Sequence, residues 1–379
     1  MIPRSSSKLK RPETAAPAAR RKGRWDRRIL SVRLISLLGT GLRPQGGDIM
    51  TAKELAKILG LSEASVSFAL NGKPGVSTKT RNRVLEEAEK YGIQVSKKAA
   101  SGRAAIYLIY YKKHGAVLTD STFFSELTEG VEEECVREGY RVNILNVYTV
   151  EDLSRQLEEL ANQGAAGFMV LGTEMHDEDF APLPFCKVPV LLLDNHFLSS
   201  RVDSVRINNV DGAYQATNYL IRKLKTVPGY LHSSYPITNF DERMEGFQKA
   251  LRHNGMSISN ALIHHLAPSI DGACGDMREI LNQGETPARC YFADNDQIAI
   301  GAMRAFREKG YRIPGQISLI GFDDIQMCNY TEPPLSSVHV PKYHLGLVAA
   351  ERLIRDIGQK DYYAVNIEVS TNLVLRGSI

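Results

Sequence analysis

From residue 104 onward the chain alternates short apolar runs rich in β-formers with stretches of helical periodicity, and this alternation constrains the fold more than any other feature. A first series of strand candidates covers 105–110, 142–146, 168–171, 190–193 and 204–207, with helical patterns at 126–138 and 150–163 between the first of them. A second series covers 229–232, 262–265, 289–292 and 317–321, with helices near 241–253, 297–309 and 342–357. Continuous apolar strands separated by helices predict parallel sheets covered on both faces. Two series predict two lobes within an α/β body spanning 105–379. Ligands in such folds sit at the carboxyl ends of strands. Asp194 follows Val190-Leu-Leu-Leu193, Asn295 follows Cys290-Tyr-Phe-Ala-Asp294, and Asp323 follows Ser318-Leu-Ile-Gly-Phe322. Each residue type is also a common turn or cap, but three at strand exits suit the hydroxyls of a polyol. Thr173, after the third strand, is a further candidate.

The net charge of +4 is unevenly spread. Residues 1–49 hold twelve Lys/Arg against three acidic residues, and 50–103 hold ten against five, so the remainder is acidic. A basic end on an acidic globule points to nucleic-acid contact at that end alone. Segment 1–49 shows no sustained period. It reads as a disordered basic tail, able to grip a DNA backbone, or as a misassigned start. Gly46-Gly47-Asp48-Ile49 before Met50 can be encoded as a ribosome-binding sequence, which favours initiation at Met50 and would remove Trp25, the only tryptophan.

Sharper signals begin at Thr51. Thr51 and Glu54 have the spacing of a capping box. Leu55, Ile58 and Leu59 follow as an apolar face. Gly60-Leu61-Ser62 ends that helix and caps the next, where Val66, Ala69 and Leu70 repeat the stripe. Asn71-Gly72-Lys73-Pro74-Gly75 closes the second helix, and a third runs from about Lys79 to Tyr91 with Val84, Leu85 and Ala88 inward. Two short helices about a tight glycine turn, with a third as brace, form a helix-turn-helix over 50–94. An unpartnered three-helix cap is the bland alternative. The exposed face argues for DNA: Thr51, Ser62, Ser65, Ser67, Asn71, Ser77, Lys79 and Thr80 suit phosphate oxygens. Glu63, Ala64 and Phe68 lie where base edges are met.

The run Thr51-Ala-Lys-Glu-Leu-Ala-Lys-Ile-Leu-Gly-Leu-Ser-Glu-Ala-Ser-Val-Ser-Phe-Ala-Leu-Asn71 resembles the start of a LacI/GalR-family regulator, as does Val76-Ser-Thr-Lys-Thr-Arg81. The resemblance covers nearly all of 50–379. It implies a helix-turn-helix head on a two-lobed periplasmic-binding-protein-like sensor, acting as a dimer on a pseudo-palindromic operator. Family members usually carry a polar or basic residue at position 68, whereas Phe68 offers only apolar contact, for instance to a thymine methyl. The family hinge, Tyr-x-Pro-Asn-x-x-Ala-Arg-x-Leu, falls on 95–104 and its lead-in. Here Val95 replaces proline and Gly102 the leucine that wedges into the minor groove, which implies weaker DNA bending or a partly unfolded hinge. Lys97 and Lys98 remain as phosphate contacts. In the body, Asn239-Phe-Asp-Glu-Arg243-Met-Glu-Gly-Phe247 is similar to the segment whose arginine binds the effector. Ala293–Gly301, Ile320–Ile325 and the Ser121–Leu127 loop with its aromatics are similar to other family signatures. The resemblance thus implies ligand contacts at Phe123, Phe124, Asp194, Arg243, Asn295 and Asp323, and sugar-related control.

The rival class is a cytoplasmic sugar-processing enzyme with an accessory helical head, using the Asp294/Asp296 or Asp323/Asp324 pairs as acid and base or metal ligands. No G-x-x-x-x-G-K-[ST], G-x-S-x-G or H-E-x-x-H occurs, which argues against catalysis. His264-His265 falls in a strand, where neighbours face opposite ways, so neither a metal nor a cofactor is expected. An exported binding protein would need a signal peptide and would carry no such head; the apolar stretch 29–39 is interrupted by Arg33 and lacks a cleavage site. Five scattered cysteines without a C-x-x-C pair fit a reducing cytoplasm. The absence of a heptad tail before Ile379 makes a homodimer the expectation. Ligand in the cleft would shift the lobes and, through them, the spacing of paired heads.

Overall fold

The computed structural model describes residues 51–71, 76–91, 93, 104–118, 121–197, 201–357 and 363–379. The segment 1–49, the loop 72–75 and the hinge positions Val95, Lys97, Lys98 and Gly102 lie outside the described residues.

The head contains α1 (Ala52–Leu59), α2 (Glu63–Leu70) and α3 (Thr78–Lys90). Thr51 and Glu54 form the reciprocal capping box. Gly60 ends α1 in the left-handed region at φ 66°, which glycine adopts without steric cost. Ser62 then caps α2 by accepting the Ser65 N–H at 3.1 Å. Leu55, Ala56, Leu59, Val66, Ala69, Leu70, Val84 and Ala88 make a separate small core. Ile58 is 51% exposed, so the buried stripe of α1 is centred on Leu55 and Leu59 with Ala56, not Ile58, beside them.

The body carries two sheets of six strands each among the described residues. The first has the order β11-β5-β4-β3-β1-β2, built from β1 (Ala105–Tyr111), β2 (Arg141–Val147), β3 (Gly167–Leu171), β4 (Val190–Leu193), β5 (Asp203–Ile207) and β11 (Asn366–Val369), all parallel. The second, β12-β10-β9-β8-β6-β7, comprises β6 (Gly229–Ser233), β7 (Ile263–Leu266), β8 (Cys290–Ala293), β9 (Ser318–Asp323), β10 (Ser336–His339) and β12 (Asn372–Val374). Only β12 runs antiparallel, along β10. Side chains alternate between two buried faces. Ile106, Leu108, Met169, Leu171, Leu191 and Leu193 enter one apolar cluster, and Ile109, Tyr111, Phe168, Val170, Val190 and Leu192 another. Both faces being dry explains why these strands read as continuous apolar runs.

Helices α4 (Ser121–Arg137), α5 (Val150–Asn162) and α10 (Lys342–Asp356) clothe the first sheet; α6 (Asn209–Leu224), α7 (Thr238–His253), α8 (Ile270–Asn282) and α9 (Asp296–Glu308) clothe the second. The chain therefore passes between lobes from β5 into α6, from β10 into α10, and from β11 into β12. Where α4 and α10 cross, Gly130 lies against the Tyr343 carbonyl and Gly346 against the Leu127 carbonyl, so a side chain at either would strike backbone. The expected helix at 126–138 begins earlier, at Ser121, which places Phe123 and Phe124 in its first turn rather than on a loop. Strands β10, β11 and β12 and helices α6 and α8 were not among the sequence expectations.

Candidate ligand cleft and nucleic-acid-binding head

The short polar side chains of the head turn first to its own backbone. Thr51 Oγ1 bonds Glu54, Ser62 Oγ bonds Ser65 Oγ at 2.8 Å, and Ser77 Oγ bonds Thr80 Oγ1 at 2.8 Å and accepts the Thr80 N–H at 3.2 Å. Asn71 Nδ2 donates to the Ser67 carbonyl at 2.9 Å. These residues define the helix ends, and a hydroxyl in such a cap keeps a lone pair or proton for a further partner. Glu63, Ala64, Phe68 and Lys79 are exposed, Phe68 to 38%. Arg81 reaches the Phe68 carbonyl and braces α3 against α2.

Between the lobes lies a cleft that gathers all seven expected ligand residues. Phe123, Phe124, Thr173 and Asp194 come from the first lobe; Arg243, Asn295 and Asp323 come from the second. Asp194 and Asp323 leave β4 and β9 with φ of 60° and 102°. Such backbone conformations are costly for a residue with a side chain and gather at functional sites. Asp194 Oδ2 accepts from Thr173 Oγ1 at 2.7 Å, while its buried Oδ1 makes no hydrogen bond within 3.5 Å, the Asn239 amide acting on the carboxylate only from farther off. Burial pushes the Asp194 carboxyl up to about 6 against the opposing pull of Thr173 and Arg243. Burial also raises Asp323, again opposed by Arg243.

Arg243 projects from the first turns of α7 and is 4% exposed. Its Nε donates to Asn209 Oδ1 at 2.9 Å, Nη1 donates to the Asp294 carbonyl, and Nη2 lies 3.2 Å from Asp323 Oδ1. The fork is thus largely engaged within the protein, and Arg243 presents no free guanidinium to the cleft. Asn295 caps α9 by accepting the Ile298 N–H at 2.9 Å, and it also lines the cleft. Phe124 is nearly buried and meets Phe123 edge to face at 4.9 Å.

The acidic pairs considered for catalysis hold structure. Asp294 accepts from Tyr230 and the Ser233 N–H and is 2.7 Å from His232 Nδ1; Asp296 accepts from Ser337 at 2.6 Å and from the Ile325 N–H at 2.9 Å. Asp324 lies 3.0 Å from His339 Nδ1. His264 is buried and His265 exposed on opposite faces of β7. Among the described residues no cluster of His, Cys, Asp or Glu is placed to hold a metal. All five cysteines are free.

Residues 219–379 match the family described as a periplasmic binding protein-like domain. The HTH-type transcriptional repressor PurR of Pasteurella multocida is 30% identical over 335 residues, 87% of this chain and 98% of that protein. The solved CelR–cellobiose complex is 25% identical with a TM-score of 0.65, covering 87% of this chain and 99% of the other. The lac repressor dimer bound to operator and an anti-inducer gives a TM-score of 0.63 at 23% identity, covering 87% and 98%. The chain belongs to the LacI/GalR family. The relatives are named as transcriptional repressors and regulators, not as enzymes.

In this LacI/GalR chain the cleft also takes in residues that were not singled out from sequence: Val117, Ile237, Asn239, Phe240, Gln297 and Ile325. Asn239 stands four residues before Arg243, on the same helical face, and that spacing was the available signal. Its amide helps hold the charge of Asp194 from the opposite lobe.

Proposed function

We propose that this LacI/GalR-family protein is a cytoplasmic, homodimeric repressor that reads a pseudo-palindromic operator with α2 and answers to a neutral sugar in the cleft. The observation that carries the ligand class is Asp194. A buried carboxylate oxygen without a donor calls for one from the ligand, and an uncharged hydroxyl supplies it without importing a second charge. Asp323 and Arg243 offset one another, Asn239 and Asn295 add amides, and the Phe123 face suits the C–H surface of a sugar ring.

The head supports operator reading through exposed Phe68 on α2, with small polar side chains at the helix ends and Lys79 exposed on α3. One head spans few base pairs, so useful affinity requires two. Val136, Ile144 and Tyr148 are 55%, 46% and 60% exposed near α4 and edge strand β2, and supply an apolar surface for the second copy. Ligand binding acts by favouring one arrangement of the lobes over another.

A thermal-shift panel of ribose, glucose, cellobiose and other neutral sugars, run beside free purine bases, tests the ligand class. A rise in melting temperature with a sugar is expected; a response to purines alone overturns the sugar assignment. Fluorescence anisotropy with the protein's own promoter duplex at low salt tests the regulator, which falls if no binding is seen with or without panel compounds.

A further inference from the structure

Thr173, which orients Asp194, is followed by a carboxylate that lines no part of the cleft. Glu174 is fully buried. Its Oε2 accepts the backbone N–H groups of His114 at 3.0 Å and Gly115 at 2.8 Å. Its Oε1 accepts those of Val117 at 2.8 Å and Leu118 at 3.1 Å. Four main-chain donors in the segment leaving β1, which belong to no helix or strand, thus converge on one side chain from the segment leaving β3. Buried N–H groups need partners, and an ionised carboxylate makes the stronger bonds to them.

The segment so held bears directly on the cleft. Val117 lies in its wall. Leu118 packs in the same apolar cluster as Phe124. The His114 ring meets Tyr235 of the opposite lobe edge to face at 5.2 Å. A second tie reinforces the first: Lys113 Nζ lies 2.9 Å from Asp179 Oδ2 and 2.7 Å from Glu178 Oε1. Thr173 and Glu174 therefore fix two parts of the first-lobe wall from adjacent positions, one through a ligand-facing carboxylate and the other through the backbone.

We infer that Glu174 is a positioning residue: by clamping 114–118 it sets the wall at Val117 and the cross-cleft contact of His114, and through them ligand affinity. The inference rests on the cleft being the ligand site. Glu174→Gln is the discriminating change, because the side chain keeps its shape while one acceptor becomes an NH₂ that faces two N–H donors.

Residue-resolved hydrogen–deuterium exchange on the full chain reads the clamp without any ligand. In the wild type the amides of 114, 115, 117 and 118 should be protected despite lying outside regular structure. In E174Q at least two of them should exchange about tenfold faster or more, with α4 and β4 unchanged. The same variant should bind the panel compound that stabilises the wild type about tenfold more weakly. Wild-type amides exchanging at free-peptide rates overturn the clamp, even if E174Q does not fold. Unchanged loop exchange in a folded E174Q does the same. A loosened loop with affinity within twofold of wild type overturns the positioning role. If no panel compound binds the wild type, the cleft reading falls and the affinity role with it, while exchange still decides whether Glu174 holds the loop.

Discussion

The guanidinium of Arg243 is stacked on Phe322, its central carbon 3.8 Å from the ring centroid. Phe322 is fully buried in β9, Asp323 follows it, and the edges of the same guanidinium reach Asn209 and the Asp294 carbonyl. A single side chain thus ties the ends of β8 and β9 to the start of α6. Lysine has neither the planar face nor the fork for this. R243A is expected to abolish the ligand-induced thermal shift, and R243K to weaken ligand at least about tenfold, with DNA binding retained in both. A full response from R243A would show that the ligand sits elsewhere.

Asp194 should make ligand binding and intrinsic stability respond oppositely to pH. Its carboxyl is raised by burial to about 6. A raised carboxyl favours the folded state when protonated, so its contribution is complete below about pH 4 and is lost as pH rises through 6. A ligand hydroxyl donates to the carboxylate, so affinity falls as pH is lowered from 7 to 5. Titration calorimetry across that range checks the slope. D194N should be weak and flat.

Phe68 tests the head. If its ring meets a thymine methyl, F68A should weaken operator binding about tenfold and leave the slope of affinity against salt unchanged, because no phosphate contact is lost. Anisotropy titrations at two or three salt concentrations measure both. Unaltered affinity at every salt would remove Phe68 from base reading.

The crossing of α4 and α10 tolerates no side chain at its closest point. A methyl at residue 346 strikes the Leu127 carbonyl. G346A should therefore cost about 1–3 kcal/mol in urea unfolding through forced separation of the helices. A cost near zero would mean that the pair can part freely.

Much of this architecture was legible because its causes are local. The central strands of both sheets are apolar on two faces, and the head declares itself through Thr51, Glu54, Gly60 and Ser62. Asp194, Asn295 and Asp323 were placed by following a buried run to its polar end. Strands β11 and β12 were missed because both are edge strands of four and three residues, and β10 because Ser336-Ser-Val-His339 is mostly polar, so none carries a continuous apolar signature. Asn239 was passed over beside Arg243, although both occupy one face of α7. Glu174 gave no local sign, since its meaning lies in backbone donors some 60 residues earlier. Ile58 misled because an apolar residue at helical spacing need not face inward on a helix of only two turns.

Neither lobe is a contiguous stretch of chain. The first sheet borrows β11 from near the C-terminus, and the second is closed by β12 directly after it. A chain emerging from the ribosome therefore leaves β5 and β10 without their outer neighbours until residue 369 and then residue 374 have been added. Products truncated before residue 366 lack both strands. Such fragments carry every residue of the head yet an unfinished sensor, so assembly of both lobes waits on residues 366–374.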